Sequence, residues 1–283
     1  IQQAYNKFIN NNYLLNLASK GDPYAMNKVG SMYEQGKVFE KNIQLAMKYY
    51  KGAADKNDSK AQNKLGLLLQ KNNGTINEGA NYLRQSAEQG NIQGMANYGI
   101  ALLNGQGVEK NIQKAIEYLK KSADLGCSFA QANYGFSLLN NNPTISGTNE
   151  GLSYIKQAMN HNSPDAYYTY GILLQRGQFV DKNINLAMEY FKIAADLGFE
   201  KAIVQYAEGN LNGRGVPKND KIALKYYKKA FKKGNEEVKG IIDTLTKNKI
   251  TLNTESNPLE SVAKPELAMP VYNSSNIARS VSY

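Results

Sequence analysis

The chain has few of the residues on which enzyme chemistry usually depends. Its 283 residues include one histidine, His161, one cysteine, Cys127, and no tryptophan. A single histidine excludes a histidine-based triad or a multi-histidine metal site within one chain, and a single cysteine excludes an intrachain disulfide framework. His161 precedes a turn-like Ser163-Pro164 pair, and Cys127 follows a helix-ending glycine. We therefore expect a non-enzymatic protein without a cofactor or a metal.

Long apolar runs are also missing. No stretch of eighteen apolar residues exists, so the sequence predicts no membrane-spanning segment. No signal peptide is recognisable in the residues shown. Together with the low cysteine content, this favours a cytoplasmic location, and a lumenal location stays open if a signal precedes the chain.

Glycine recurs at a nearly fixed interval along most of the chain. The spacing is 36, 33, 36 and 36 residues, and an alanine takes the sixth place another 36 residues on, at Gly30, Gly66, Gly99, Gly135, Gly171 and Ala207. A period of this length is typical of stacked repeat proteins, which mostly bind other molecules. The sequence therefore predicts a repeat protein with a binding function.

Each repeat has the pattern of two helices joined by a turn. Ala46, Tyr49, Tyr50 and Ala53 lie at i, i+3, i+4 and i+7, which places them on one helix face. An asparagine, which is a good N-cap, stands where the second helix of four repeats should begin, at Asn42, Asn111, Asn183 and Asn219. We call the first helix of each repeat helix A and the second helix B. Small residues at the recurring glycine and at Ala46 would let the two helices approach closely.

Two repeats depart from this pattern in the turn between the helices. Repeat two is three residues short between Leu69 and Thr75, and repeat four carries Asn140-Asn141-Asn142-Pro143 in place of a glycine-containing turn. Both regain the helix B pattern afterwards. We interpret them as altered loops on an intact scaffold.

The pattern Ala-x3-Leu-Gly-x2-Tyr-x2-Gly-x-Gly-Val-x2-Asn-x3-Ala-x2-Tyr-Tyr-x2-Ala-Ala-x2-Gly resembles the Sel1-like repeat, a relative of the tetratricopeptide repeat. The resemblance covers roughly residues 6 to 246. It implies an all-α fold, an α-solenoid superhelix of stacked antiparallel helix pairs. It also implies a role as an adaptor or assembly scaffold, without naming the pathway. The cysteine pattern of secreted relatives is missing here.

The repeat register divides the chain into four parts. Residues 1–20 read as a partial repeat with an unpaired helix B, 21–234 as six helix pairs, and 235–250 as a terminal helix. Because the chain starts in mid-repeat and without methionine, we expect it to be a fragment or a processed form. Residues 251–283 are rich in Ser, Asn and Pro, which is typical of a flexible tail. Such a tail could also be held against a surface of this chain or of a partner.

The resemblance places helix A on the concave side of the solenoid, which leaves a stripe of helix A positions for binding. Its central part combines apolar residues with asparagines whose amides can donate to and accept from a peptide backbone. Such a stripe suits an extended segment or a helix of a protein partner. Alternatively, these residues pack against the neighbouring helix A. The candidate contact residues are Leu67, Asn97, Ile100, Asn104, Asn133, Phe136, Asn140, Ile172 and Arg176.

The net charge of +10 is concentrated near the end of the repeats. A basic patch there predicts an acidic partner or an anionic surface, or it is a solvated end that keeps the stack soluble. Its candidate residues are Lys221, Lys225, Lys228, Lys229, Lys232 and Lys233. Twenty tyrosines could stack on nucleic-acid bases, but most occupy repeat-core positions, which argues against nucleic acid.

We expect an interaction scaffold or adaptor that binds a protein segment on the concave helix A face. Two alternatives stay open. The chain could be a structural subunit of a large assembly, or it could bind a membrane or nucleic acid through the basic C-terminal repeat.

Overall fold

The structure, a computed structural model, describes residues 2–71, 74–141 and 144–252. Those residues contain no strand, and a 3₁₀ turn at Glu236–Val238 precedes the last helix. The all-α prediction is confirmed. The α-helices are α1 (Gln2–Ser19), α2 (Pro23–Gln35), α3 (Ile43–Ala54), α4 (Ser59–Leu69), α5 (Ile76–Glu88), α6 (Ile92–Asn104), α7 (Ile112–Asp124), α8 (Ser128–Asn141), α9 (Ile145–Asn160), α10 (Pro164–Arg176), α11 (Ile184–Asp196), α12 (Glu200–Asn212), α13 (Asp220–Lys232) and α14 (Lys239–Leu252).

The helices alternate as predicted for a solenoid of antiparallel helix pairs. The even-numbered helices α2 to α12 are helices A, the odd-numbered α3 to α13 are helices B, and α1 precedes the first pair. The chain forms two compact units, here called unit 1 and unit 2, which divide inside α8 between Tyr134 and Gly135. In unit 1, each helix from α1 to α6 packs against the next helix in sequence, so the series ends with α6 against α7. In unit 2, α9 to α14 pack in the same consecutive order.

The terminal helix differs from the prediction at both ends. It was expected over 235–250, but the chain first makes the 3₁₀ turn, and α14 runs from Lys239 to Leu252. Asn235 has the extended backbone of an N-cap, but its side chain forms no capping hydrogen bond. The predicted tail, apart from the end of α14, lies outside the described residues.

Local sequence accounts for where the B helices begin. Each predicted asparagine cap accepts a hydrogen bond from the backbone N–H three residues on, at 2.9 to 3.0 Å. Asp22 and Ser163 cap α2 and α10 in the same way, each followed by a proline in the first turn. These bonds satisfy N–H groups that have no partner inside the helix. The caps predicted from the sequence are therefore confirmed.

The turns that follow the B helices need a left-handed residue. Glycine takes this conformation after α7, where Gly126 has φ of 84°. After α3 and α9 no glycine is present, and Asn57 and Asn162 adopt φ of 63° and 55° instead. Asparagine tolerates this region better than most residues, so the turn survives its loss of glycine.

Glycine and tyrosine together fill the contact between helices A and B. A Cβ atom added to Gly30 would lie 2.8 Å from the Tyr50 ring, so only glycine admits the ring. In three later repeats a tyrosine of helix A meets one of helix B edge to face, with ring centroids 4.7 to 5.6 Å apart. These pairs are Tyr98–Tyr118, Tyr170–Tyr190 and Tyr206–Tyr226. The tyrosines are therefore core residues, as the repeat register predicted.

Candidate partner-binding surface

One position of helix A, directly after the recurring glycine, carries the apolar part of the candidate surface. Leu67 on α4 in unit 1 and Phe136 on α8 in unit 2 each keep 39% of their surface exposed. Ile100 and Ile172, at the same position of α6 and α10, are half-buried and therefore less exposed. The four residues were expected to be exposed alike, but α6 and α10 leave less of the isoleucine side chains in solvent. Leu67 in unit 1 and Phe136 in unit 2 are thus the most exposed apolar residues of the predicted stripe.

Three asparagines of the stripe already form hydrogen bonds within the chain. In unit 1, Asn97 donates from Nδ2 to Asn63 Oδ1 at 2.8 Å, and Asn133 donates to the backbone carbonyl of its own helix. In unit 2, Asn140 donates to the carbonyl oxygen of Phe136 at 3.0 Å. An amide Nδ2 carries two N–H groups, so one such bond does not prevent donation to a partner. These bonds hold the amides in place on their helices.

The two remaining stripe residues lie at the ends of A helices. Asn104 is the last residue of α6 and Arg176 the last of α10, and both are exposed. A cation at a helix C-terminus interacts favourably with the helix dipole, which gives Arg176 a structural reason for its place. Both side chains remain accessible to a partner.

The predicted basic patch lies on α13 and the residue after it. Its lysines are exposed except for Lys229, which is half-buried and donates from Nζ to the carbonyl oxygen of Ala195 at 2.6 Å. Lys229 therefore satisfies the C-terminal end of α11 and is not a free surface charge. A cavity of about 510 Å³ opens beside it, lined by Asp196, Lys225, Tyr226, Lys228, Lys229 and Lys232. Four lysines and one carboxylate give this recess a net positive charge.

A ladder of polar contacts between successive B helices was missed by the sequence reasoning. Asp196 on α11 accepts a hydrogen bond from Tyr226 of α13 at 2.6 Å and pairs with Lys192 at 2.7 Å. In unit 1, Tyr82 of α5 likewise donates to Asp55 of α3, at 3.3 Å. The sequence feature that could have predicted these contacts is a lysine and an aspartate four residues apart in one helix B, followed by a tyrosine in the next helix B. The ladder ties neighbouring repeats together on the helix B side.

The electrostatics of this ladder follow from its hydrogen bonds. Burial raises the pKa of Asp196, but the hydrogen bonds from Lys192 and Tyr226 outweigh this effect, and the pKa lies below its usual value. Burial and the neighbouring carboxylate raise the pKa of Tyr226. At neutral pH, therefore, Asp196 is ionised and Tyr226 is its neutral donor.

The residues with catalytic potential remain scattered. His161 is exposed at the C-terminal end of α9, and Cys127 is buried before α8. Among the described residues, no group of three or more His, Cys, Asp or Glu side chains could hold a metal ion. None of the described helices is long and apolar enough to cross a bilayer.

Comparison with known families explains the period. The Sel1 repeat family profile matches residues 23–58, 59–91, 92–127, 164–199 and 201–235, more than half of the chain. The chain belongs to the Sel1 repeat family. The segment 128–163 is unmatched and contains the altered turn of repeat four. Sel1 repeats generally mediate protein–protein interactions, and the family is generally a non-enzymatic scaffold.

Two solved Sel1-type structures share the fold. One is c5321, a protective antigen of uropathogenic Escherichia coli with an SLR fold, which is 21% identical with a TM-score of 0.61 and matches 91% of this chain. This chain spans 61% of the length of c5321. The other is a Sel1 repeat protein from Oxalobacter formigenes, 22% identical with a TM-score of 0.57, covering 83% of this chain and 69% of its own. No curated protein matches the sequence.

Proposed function

We propose that the chain is a non-enzymatic scaffold or adaptor that binds a segment of a protein partner on its helix A face. The observation that carries this proposal is the exposure of Leu67 and Phe136 at the same repeat position. Large exposed apolar side chains at a repeated position favour a partner, because they cost free energy in water. The general role of Sel1 repeats in protein interactions supports the same class of function.

Phe136 is the residue to test first. Buried aromatic anchors often carry about 2 kcal/mol or more of binding free energy, and about 1.4 kcal/mol corresponds to a factor of ten. Partners captured from a native extract by the tagged chain would be identified by mass spectrometry, and their affinity would then be measured. We expect Phe136→Ala to weaken binding of the captured partner at least about tenfold.

Two variants serve as controls. Phe231 on α13 is 41% exposed but belongs to a helix B, so Phe231→Ala should leave binding unchanged. Tyr134 is only 3% exposed, and Tyr134→Ala should destabilise the fold more than Phe136→Ala does. Equal destabilisation by these two variants, with binding intact in Phe136→Ala, would show that Phe136 is a core residue and would end the proposal for this surface.

A second candidate function is binding to an anionic surface through α13. The positive recess beside Lys225, Lys228 and Lys232 favours it. Binding of this kind releases counterions, so the affinity for vesicles containing phosphatidylserine should fall steeply as salt rises. Charge reversal at Lys225 and Lys228 that leaves vesicle binding unchanged would identify the patch as a solubilising end. Lys229 is unsuitable for this test because its ammonium group donates a hydrogen bond to the C-terminal end of α11.

A further inference from the structure

Unit 1 contains a cavity that the repeat pattern does not predict. It has a volume of about 600 Å³ and lies between α4, the beginning of α6 and the turn before α8. No acidic side chain lines it. Its volume is in the range of pockets that bind small ligands or single side chains of a partner. We call it the Lys60–Lys64 cavity, after two residues of α4 that border it.

Two lysines of α4 border the cavity. Lys60 and Lys64 stand one helical turn apart, and neither forms an ion pair with a described acidic residue. Lys64 is half-buried, with Nζ 5.1 Å from the centre of the Tyr50 ring. Burial lowers the pKa of Lys64, which means that its charge is incompletely compensated. A bound anion would provide that compensation.

The acidic residues nearest to Lys64 are occupied elsewhere. Glu34 accepts a hydrogen bond from the Tyr50 hydroxyl at 2.6 Å. Asp58 caps α4 through the backbone N–H of Ala61 at 2.7 Å and also accepts from Asn27. Both carboxylates favour the charged form of Lys64 only at longer range. They leave the cavity itself without a counter-charge.

Further donors border the same cavity. Asn63 is 8% exposed, and its Oδ1 accepts from Asn97, while its Nδ2 has no hydrogen-bond partner among the described residues. The first turn of α6, with Ile92 and Gln93, also lies at the cavity, where backbone N–H groups and the positive end of the helix dipole favour an anion. The Asn63 amide could therefore donate to a ligand oxygen in the cavity.

The rest of the lining is apolar. Ile92 and Leu125 are both exposed large side chains at the rim. Inorganic phosphate is strongly hydrated on all sides, and the apolar rim residues offer no hydrogen bonds to replace the water it would lose. A carboxylate beside an apolar side chain matches both parts of the lining. A single peptide residue can carry this combination.

We propose that the Lys60–Lys64 cavity binds a carboxylate carried next to an apolar side chain in the segment of a protein partner. The proposal rests on the proposed scaffold function and specifies part of its ligand. Lys60, Lys64 and Leu67 lie at i, i+4 and i+7 on one face of α4, so the cavity continues the candidate partner-binding surface.

N-acetyl-leucine is a direct probe, because it holds a carboxylate beside an isobutyl group. It would be titrated into the ¹⁵N-labelled full chain and followed by amide NMR shifts. We expect saturable binding with a millimolar Kd, as for other ligands of this size, and shifts centred on Ile92, Gln93 and Gly126. N-acetyl-leucinamide lacks the charge, and inorganic phosphate lacks the apolar group, so both should bind at least tenfold more weakly.

Variants test whether the lysines are responsible. Lys60→Gln with Lys64→Gln should weaken N-acetyl-leucine binding at least tenfold. Lys110→Gln with Lys114→Gln removes the same charge from exposed positions of unit 1 and should change it less than twofold. Equal binding of the acid and its amide, tighter binding of phosphate, or no effect of the Lys60/Lys64 double variant would overturn the proposal.

The same double variant separates this proposal from the scaffold function. If a partner captured by the wild-type chain binds the Lys60/Lys64 variant equally well but loses affinity on Phe136→Ala, the scaffold function stands and the cavity proposal fails. If no partner is captured while N-acetyl-leucine binds as described, the cavity stands as a carboxylate site and the scaffold function fails.

Discussion

In repeats one and five, a glycine of helix A faces an alanine and an aromatic ring of helix B, whereas in repeats two and four it faces a second glycine. A Cβ atom on Gly30 would lie 2.8 Å from the Tyr50 ring and 3.2 Å from the Ala46 carbonyl oxygen. In unit 1, a Cβ atom on Gly66 would lie 2.8 Å from the Gly79 carbonyl oxygen. In unit 2, a Cβ atom on Gly135 would lie 2.5 Å from the Gly151 carbonyl oxygen. Two glycines bring the backbones closer than a glycine and an alanine can.

The connection between the helices also differs in these repeats. Seven residues, 36–42, join α2 to α3, but six residues, 70–75, join α4 to α5, and three, 142–144, join α8 to α9. Helix α2 ends at Gly36 in the left-handed region, whereas α4 ends at Gln70 in the right-handed region. The second glycine therefore occurs in the two repeats whose turn is altered.

The largest effect is expected from filling the closest contact. Gly135→Leu places a bulky side chain against the backbone of α9, and overpacking of this kind typically costs about 1–3 kcal/mol. Urea unfolding should show this loss of stability. Gly240 on α14 has open space where its Cβ would lie, so Gly240→Leu is the control and should cause no loss of stability. An unchanged midpoint for Gly135→Leu would show that the contact is not tight.

A smaller substitution sharpens the same comparison. A Cβ atom on Gly79 would lie 2.8 Å from the Gly66 carbonyl oxygen and 2.9 Å from the Gln70 amide nitrogen. Gly79→Ala should therefore destabilise unit 1 by about 1 kcal/mol, although alanine is normally the better helix former. Gly240→Ala, which meets no neighbour, should stabilise the chain by up to about 1 kcal/mol. Stabilisation by both substitutions would show that the contact between Gly66 and Gly79 is not tight.

The hydrogen bonds between B helices should not depend on the turn between helices A and B. Removing them is expected to have the smallest effect on stability. Asp196 links two repeats with long connections, and Asp55 links repeat one to the altered repeat two. Because these pairs are partly exposed, Asp196→Asn should cost about 0.2–1 kcal/mol near neutral pH. Asp55→Asn should cost less, since its bond to Tyr82 is longer. Chemical unfolding of both variants beside the wild type measures the difference.

The pH dependence of this effect has a definite sign. The pKa of Asp196 in the folded chain lies below 3.8, its value without these partners. The ionised form therefore stabilises the fold above 3.8, and this contribution is lost as the pH falls through the lowered pKa. The stability gap between wild type and Asp196→Asn should be constant above 3.8 and shrink below it. A gap that widens in acid would show that Asp196 is not held in its charged form.

Much of the fold could be predicted from the sequence, because the deciding interactions are local. Asn183 caps α11 by accepting from an N–H three residues away, and Gly177 ends α10 in the left-handed backbone conformation. The 36-residue period then places the same helix pair repeatedly. The glycine pairs were also visible in the sequence, since Gly79 and Gly151 replace the alanine of other repeats only where the turn is altered. Their meaning required the distances between the helices.

The sequence by itself determined the helix pairs, their caps and the position of each candidate residue on its helix. Only the tertiary structure decided how those residues are used. It left Leu67 exposed but half-buried Ile100 at the same position, engaged Asn97 with Asn63, and enclosed Lys64 beside a cavity. The physical reason is range. Capping and periodicity act within one helical turn or one face, whereas exposure and charge compensation also depend on side chains from other helices, such as Asn97 for Asn63 and Glu34 for Lys64.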